Sequence, residues 1–194
     1  MKTQEEIKKE YNISSIEWMT LKDGDNKIRI VSDLYDYGVH KVETASGKYQ
    51  TIICIGKDKG CKYCAEGSQS KVQFLCWVLD RNNNDRVKIM RIGYQIYKQI
   101  NDLKISEMFG FEKVPQYDMK ITKSGVGEDT NYIVVPDEEN PLTDKNKEMI
   151  MATISDPQVI INRMKSKILG NNPQEETVET EEHSNDDFAE NIPF

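Results

Sequence analysis

The chain has 194 residues, of which 37% are hydrophobic and 30% charged, with a formal net charge of −7. That length suits one medium domain with appendages, and the absence of any long apolar run in the sequence argues against a transmembrane helix. The opening MKTQEEIKKEYN has no apolar core segment and no small-residue cleavage site, so it predicts no secretory signal; the expected compartment is the reducing cytoplasm, where four cysteines read as thiols or metal ligands rather than disulfides.

Residues 3–10 carry too few apolar side chains to decide between a short helix and frayed chain. After a turn at Gly24, Ile28 and Ile30 alternate with Lys27 and Arg29 and predict the first strand. Residues 38–67 show little apolar periodicity but hold one His and three Cys. KVQFLCWVLD (71–80) reads as a buried strand, RNNNDR as a turn and RVKIMRI (86–92) as an alternating strand, which together predict an antiparallel hairpin. Ile96, Ile100 and Leu103 recur at helical spacing. YDMKITKSG and TNYIVVPD read as strands flanking a glycine-containing turn. Residues 143–169 read as helical, with Asp156-Pro157 as a break or restart, because proline suits the first turn of a helix.

The expected fold is therefore mainly β with helices, an α+β domain over residues 1–170. Five strands with a helix between them fit an OB-type Greek-key barrel carrying a zinc-binding insertion at about 38–67 and C-terminal helices at about 143–169. An SH3-like barrel or an open α+β sheet fits the same pattern almost as well. Residues 171–194 read as a disordered acidic tail: eight acids, no Lys or Arg, few apolar residues and two prolines. Without that tail, 25 acids stand against 26 Lys and Arg, a net of +1. A near-neutral body can hold a basic groove, because phosphate contacts respond to local clustering.

Cys61-Lys62-Tyr63-Cys64 is a CxxC knuckle, with Cys54 seven residues earlier and His40 fourteen before that. Three thiolates and one imidazole make a closed tetrahedral set, the form of a structural zinc site with no position open to water. The stretch cannot bury a core of its own, so one structural Zn²⁺ would organise it. His183 lies in the acidic tail and is a poor ligand candidate, and Cys76, inside Phe-Leu-Cys-Trp-Val, reads as a core thiol.

The order His-x13-Cys-x6-Cys-x2-Cys between an early strand and the next hairpin resembles the helix-destabilising single-stranded DNA-binding proteins of T-even bacteriophages. Gly47-Lys48-Tyr49 is similar to that family's Gly-Lys-aromatic, and RVKIMRIGYQIYKQIND to its strand-then-helix segment, with Arg91 and Gly93 at matching places. The similarity covers roughly residues 20–135. It implies a zinc-containing OB fold that coats single-stranded DNA, in a host cytoplasm if the source is viral.

Single-strand binders need a positive groove for phosphates and flat side chains for bases. Candidate rings are Tyr35, Tyr37, Tyr49, Tyr63, Trp77, Tyr94, Tyr97 and Tyr132; candidate cations are Lys27, Arg29, Lys41, Lys48, Lys71, Arg86, Lys88, Arg91, Lys120 and Lys123. They interleave best at Lys48-Tyr49 and along Lys88 and Arg91 towards Tyr94 and Tyr97. Trp77, amid Phe74, Leu75 and Val78, suits a core position better.

The sequence ends in acids followed by Ile-Pro-Phe, which resembles the C-terminal tip of bacterial single-stranded DNA-binding proteins. The resemblance implies a partner-binding role for Asp186, Asp187, Phe188, Ile192, Pro193 and Phe194, in which a terminal Phe fills an apolar pocket on replication and repair proteins. The expectation is a binding protein for single-stranded DNA in replication, recombination and repair. The alternative is a zinc-ribbon regulator that binds duplex DNA or RNA polymerase. A hydrolase is disfavoured, because the ligand set is closed and the chain has no HExxH, P-loop or nucleophile elbow.

Overall fold

In the strand Lys71–Asp80 every residue from Phe74 to Asp80 is buried. Phe74, Cys76 and Val78 enter one hydrophobic cluster; Leu75, Trp77 and Leu79 enter another on the opposite face. An apolar run without alternation is what a strand covered on both sides requires. The computed structural model describes residues 16–138 and 140–169. The expectations for residues 3–10, for the acidic tail and for its tip lie outside them.

The strands are β1 (Trp18–Met19), β2 (Gly24–Ile30), β3 (Tyr35–Glu43), β4 (Tyr49–Ile53), β5 (Lys71–Asp80), β6 (Arg86–Gly93), β7 (Met119–Ser124) and β8 (Asn131–Pro136). The helices are α1 (Lys62–Ala65), α2 (Tyr94–Lys104), α3 (Asp144–Thr153) and α4 (Pro157–Ile168). One eight-stranded sheet runs β1-β6-β5-β2-β7-β8, and β3 branches from β5 and carries β4. One edge of β5 pairs with β6 along its length; the other is shared by β3 near its start and β2 near its end. Ser32 bridges the handover, since its hydroxyl accepts the Trp77 amide at 2.8 Å while Val31 donates to the Trp77 carbonyl at 3.0 Å.

Helix α2 packs Ile96 and Ile100 into the cluster with Ile28, Ile30 and Phe74. Its Gln99 side chain donates to the Tyr132 carbonyl and accepts the Val134 amide, both at 2.8 Å, which occupies backbone groups of β8. Ile150 from α3 and Ile160 and Ile161 from α4 cover the opposite face over Trp77. Thr143 and Asn146 form a capping box at the start of α3, and Asp156 caps α4 ahead of Pro157, so the break expected at 156–157 separates two helices.

The fold is mixed α+β, with eight strands where the sequence suggested five. The additional β1, β3 and β4 are short or largely polar. Among the described residues no ladder joins β8 to β1 or to β4, and the sheet is mostly open. No helix among them is long and apolar enough to cross a membrane.

Two expected DNA contacts belong instead to the interior. Arg29 is 3% exposed and its Nε donates to Asp118 Oδ1 at 2.8 Å, while Arg81 Nε meets Asp118 Oδ2 at 3.0 Å. Both guanidinium groups also donate to the Asn140 carbonyl. A buried charge needs such a partner, so Arg29 is committed to the body. Trp77 is fully buried, and its indole donates to the Ser155 carbonyl at 2.8 Å, so its rings have no face for a base.

Candidate functional site

The hairpin of β3 and β4 ends beside the CxxC knuckle. His40 lies on β3, Cys54 follows β4 directly, and Cys61 and Cys64 straddle the start of α1. Their ligand atoms all lie within 4.8 Å of one another. His40 Nε2 is 3.5 Å from both Cys61 Sγ and Cys64 Sγ, and Cys54 Sγ is 3.5 Å from Cys64 Sγ and 3.9 Å from Cys61 Sγ. A tetrahedron with metal–sulfur bonds of about 2.3 Å and a metal–nitrogen bond of about 2.1 Å has edges of about 3.8 and 3.6 Å. The four side chains fit that figure, and all the cysteines are free thiols.

His40 is fully buried, and its Nδ1 lies 3.1 Å from Ser68 Oγ, which orients the ring with Nε2 towards the sulfurs. Burial opposes the Cys61 thiolate, but backbone amides of Cys64, Ile55 and Tyr63 outweigh it and bring the pKa down to about 6. Hydrogen bonding with Cys54, then burial, push Cys64 the other way, to about 11. Crowded thiolates repel one another, so only a cation lets all three ionise together. Cys76 lies apart from the cage, fully buried, its thiol pushed up to about 12 by desolvation, as expected of a core thiol.

A cleft of about 780 Å³ opens where β1, β5, β6 and the first turn of α2 meet β7 and β8. Its walls include Trp18, Arg91, Tyr94, Lys123 and Tyr132. A second, of about 430 Å³, runs along the β3–β4 hairpin past Lys41, Thr51 and Lys71. The two meet at Gln73, Gly93 and Tyr94. Together they make one trough with exposed rings at Trp18 (45%) and Tyr94 (59%), and Tyr49 (61%) beside its second half. Arg91 lies over the Trp18 ring at 5.3 Å and Lys41 over Tyr49 at 4.6 Å. Gly93 faces open space at the middle, since a Cβ there would meet nothing within 4 Å.

The cage and the trough share one hairpin. His40 and Lys41 are neighbours on β3, so strand alternation turns one inward to the cage and leaves the other exposed. Lys41 faces Thr51 across the ladder, and β4 starts at Tyr49 and leads into Cys54. Fixing the cage therefore fixes the wall that carries Lys41 and Tyr49.

Of the sequence-derived candidates, Lys41, Lys71, Arg91, Tyr94, Lys123 and Tyr132 line the trough and Tyr49 adjoins it. Lys123 also pairs with Asp23 at 2.8 Å. Lys48 is exposed in the β3–β4 turn, where its carbonyl accepts from Thr44. Tyr37 is 4% exposed; its hydroxyl donates to Gln73 Oε1 at 3.2 Å, so it supports the floor and presents no ring face. The others lie elsewhere. Arg86 pairs with Glu17 at the far end of β6 and Lys88 with Asp80, each at 2.8 Å. Lys120 pairs with Asp25 at 3.5 Å. Tyr97 stacks on Phe74 at 3.8 Å and Tyr35 packs against the core cluster around Trp77.

Sequence reasoning missed Trp18 and Gln73 as trough residues, whereas Lys41 and Lys71 were among its candidate cations and both line the second cleft. Trp18 sits on a two-residue strand that pairs in parallel with β6, a contact with no local signal. Lys41 and Lys71 are ordinary surface lysines until β3 and β5 bring them together. No family model, no curated protein and no solved structure matches this chain.

Proposed function

We propose that this chain binds single-stranded DNA along the trough and uses the His40–Cys54–Cys61–Cys64 cage to hold one structural Zn²⁺. The observation that carries the reading is the set of exposed rings, Trp18 and Tyr94 in two clefts that share Gln73 and Gly93 and Tyr49 beside them, with Arg91 over Trp18 and Lys41 over Tyr49. Rings accept bases by stacking at about 1–3 kcal/mol each, and cations meet phosphates. Only an unpaired strand can offer base faces to such rings. Three thiolates and one imidazole suit Zn²⁺. The metal would secure the hairpin wall and supply no chemistry of its own.

In this reading the sheet is a variant of the OB type, with β2, β5, β6, β7 and β8 as its five core strands. The acidic segment 171–194, with its Ile192-Pro193-Phe194, recruits replication, recombination and repair proteins, and the protein acts in the cytoplasm. The zinc-ribbon alternative accounts for the cage and leaves the trough without a role.

The test is a titration of oligo(dT) against a duplex of equal length, followed by tryptophan fluorescence. The chain has two tryptophans, and Trp77 is fully buried. The expected result is quenching by oligo(dT), weakened by salt and absent in Trp18→Phe. Equal affinity for duplex, or no response at low salt, rejects the proposal.

A further inference from the structure

The floor of the trough carries a hydrogen-bond relay whose direction is set by chemistry. Tyr37 on β3 and Gln73 on β5 are partners across the ladder, and the Tyr37 hydroxyl donates to Gln73 Oε1 at 3.2 Å. Arg91 stands beside the same hydroxyl, where its charge and its donors work against the burial that raises the Tyr37 pKa. A guanidinium has only donors. Even beside that charge the phenol stays protonated, and its single proton goes to Gln73 Oε1.

In that bond the Gln73 amide is engaged through its oxygen. With Oε1 held by Tyr37, the amide nitrogen and its two donors remain. Thr153 Oγ1 is the one buried side-chain polar atom among the described residues without a partner. The Gln73 nitrogen thus opens to the place where the two clefts meet. Its neighbour across β6 is Gly93, which contributes no side chain to block it.

We propose that Gln73 reads the base edge: clamped by Tyr37, it offers donors only and favours bases that present an exocyclic carbonyl oxygen, such as thymine, over adenine. Adenine presents an amine at the corresponding position, so the Gln73 donors find no exocyclic acceptor there and must turn to a ring nitrogen. The inference rests on the single-strand-binding reading and adds to it a preference among bases.

The experiment compares affinities for oligo(dT) and oligo(dA) of equal length at one salt concentration, by fluorescence anisotropy, with the full zinc-loaded chain. Intrinsic stacking differences between the two oligomers cancel when the dT-to-dA ratio is compared between variants. Gln73→Leu is expected to weaken oligo(dT) about three- to tenfold and to change oligo(dA) by less than about twofold. Tyr37→Phe keeps the buried ring and frees the amide to rotate, so it lowers the ratio in the same direction even if Gln73→Leu misfolds. An unchanged ratio in folded Tyr37→Phe or Gln73→Leu, with wild type still binding both oligomers, overturns the role of Gln73 and leaves the binding proposal standing. Failure of wild type to bind either oligomer overturns both.

Discussion

The sheet body and the metal lobe bury very different amounts of apolar surface. In the body, β5 is sealed on one face by α2 and on the other by α3 and α4, with Trp77 and Leu75 fully buried. In the lobe, the cluster of buried residues is Cys54, Ile55 and Cys61, and two of those three are cage ligands. Hydrophobic burial contributes roughly 1.5–3 kcal/mol per large side chain, so the body has ample means of support and the lobe almost none. A lobe of this kind depends on its ligand bonds for order. The trough takes one wall from each region, so a metal held in the cage would fix its geometry on the side of Lys41 and Tyr49.

That contrast can be broken at three levels. The largest effect is expected in the body. Trp77→Ala removes the centre of a cluster and strands the Ser155 carbonyl, at a cost of about 3–5 kcal/mol in urea unfolding. Metal content of the folded fraction should stay at one per chain, and its loss would mean that the two regions are not separable. Next is the lobe. Ser68→Ala removes the partner of His40 Nδ1 and should weaken metal binding about 10–100-fold in a chelator competition. Hydrogen exchange under chelator should then rise in β4 and α1 first, with β5 and β6 still protected; uniform loss of protection would contradict the division. The smallest effect is on the trough. Trp18→Ala should weaken oligo(dT) by about 1–3 kcal/mol, whereas Arg86→Gln, which breaks an exposed pair with Glu17, should change it by less than about 1 kcal/mol. Equal losses in the two variants would move the interface off the trough.

Much of the body was legible because its signals are local. The unbroken apolar run of β5, the Ile96–Ile100 spacing in α2 and the Asp156-Pro157 restart each follow from side chains a few residues apart. The cage was legible for the same reason, since a CxxC knuckle with one more Cys and a His is a short pattern with few other uses. The strands β3 and β4 were not. Their polar faces, with Lys41, Glu43, Gln50 and Thr51 exposed, hide the alternation, and their pairing is held by long-range ladders and by the cage. The proposed binding surface was least legible of all. Arg29 and Arg91 look alike in sequence, yet Asp118, 89 residues from Arg29, draws one into the core, while Trp18 holds the other at the mouth of the cleft.

The most direct measurement is the pair of indole N–H resonances in a heteronuclear spectrum as oligo(dT) is added. The account predicts that the Trp18 signal moves, with the amides of Arg91, Gly93 and Tyr94, while the Trp77 signal, hydrogen-bonded to Ser155 in the core, stays in place. An unmoved Trp18, or shifts gathered around Arg86 and Lys88 at the other end of β6, would contradict it.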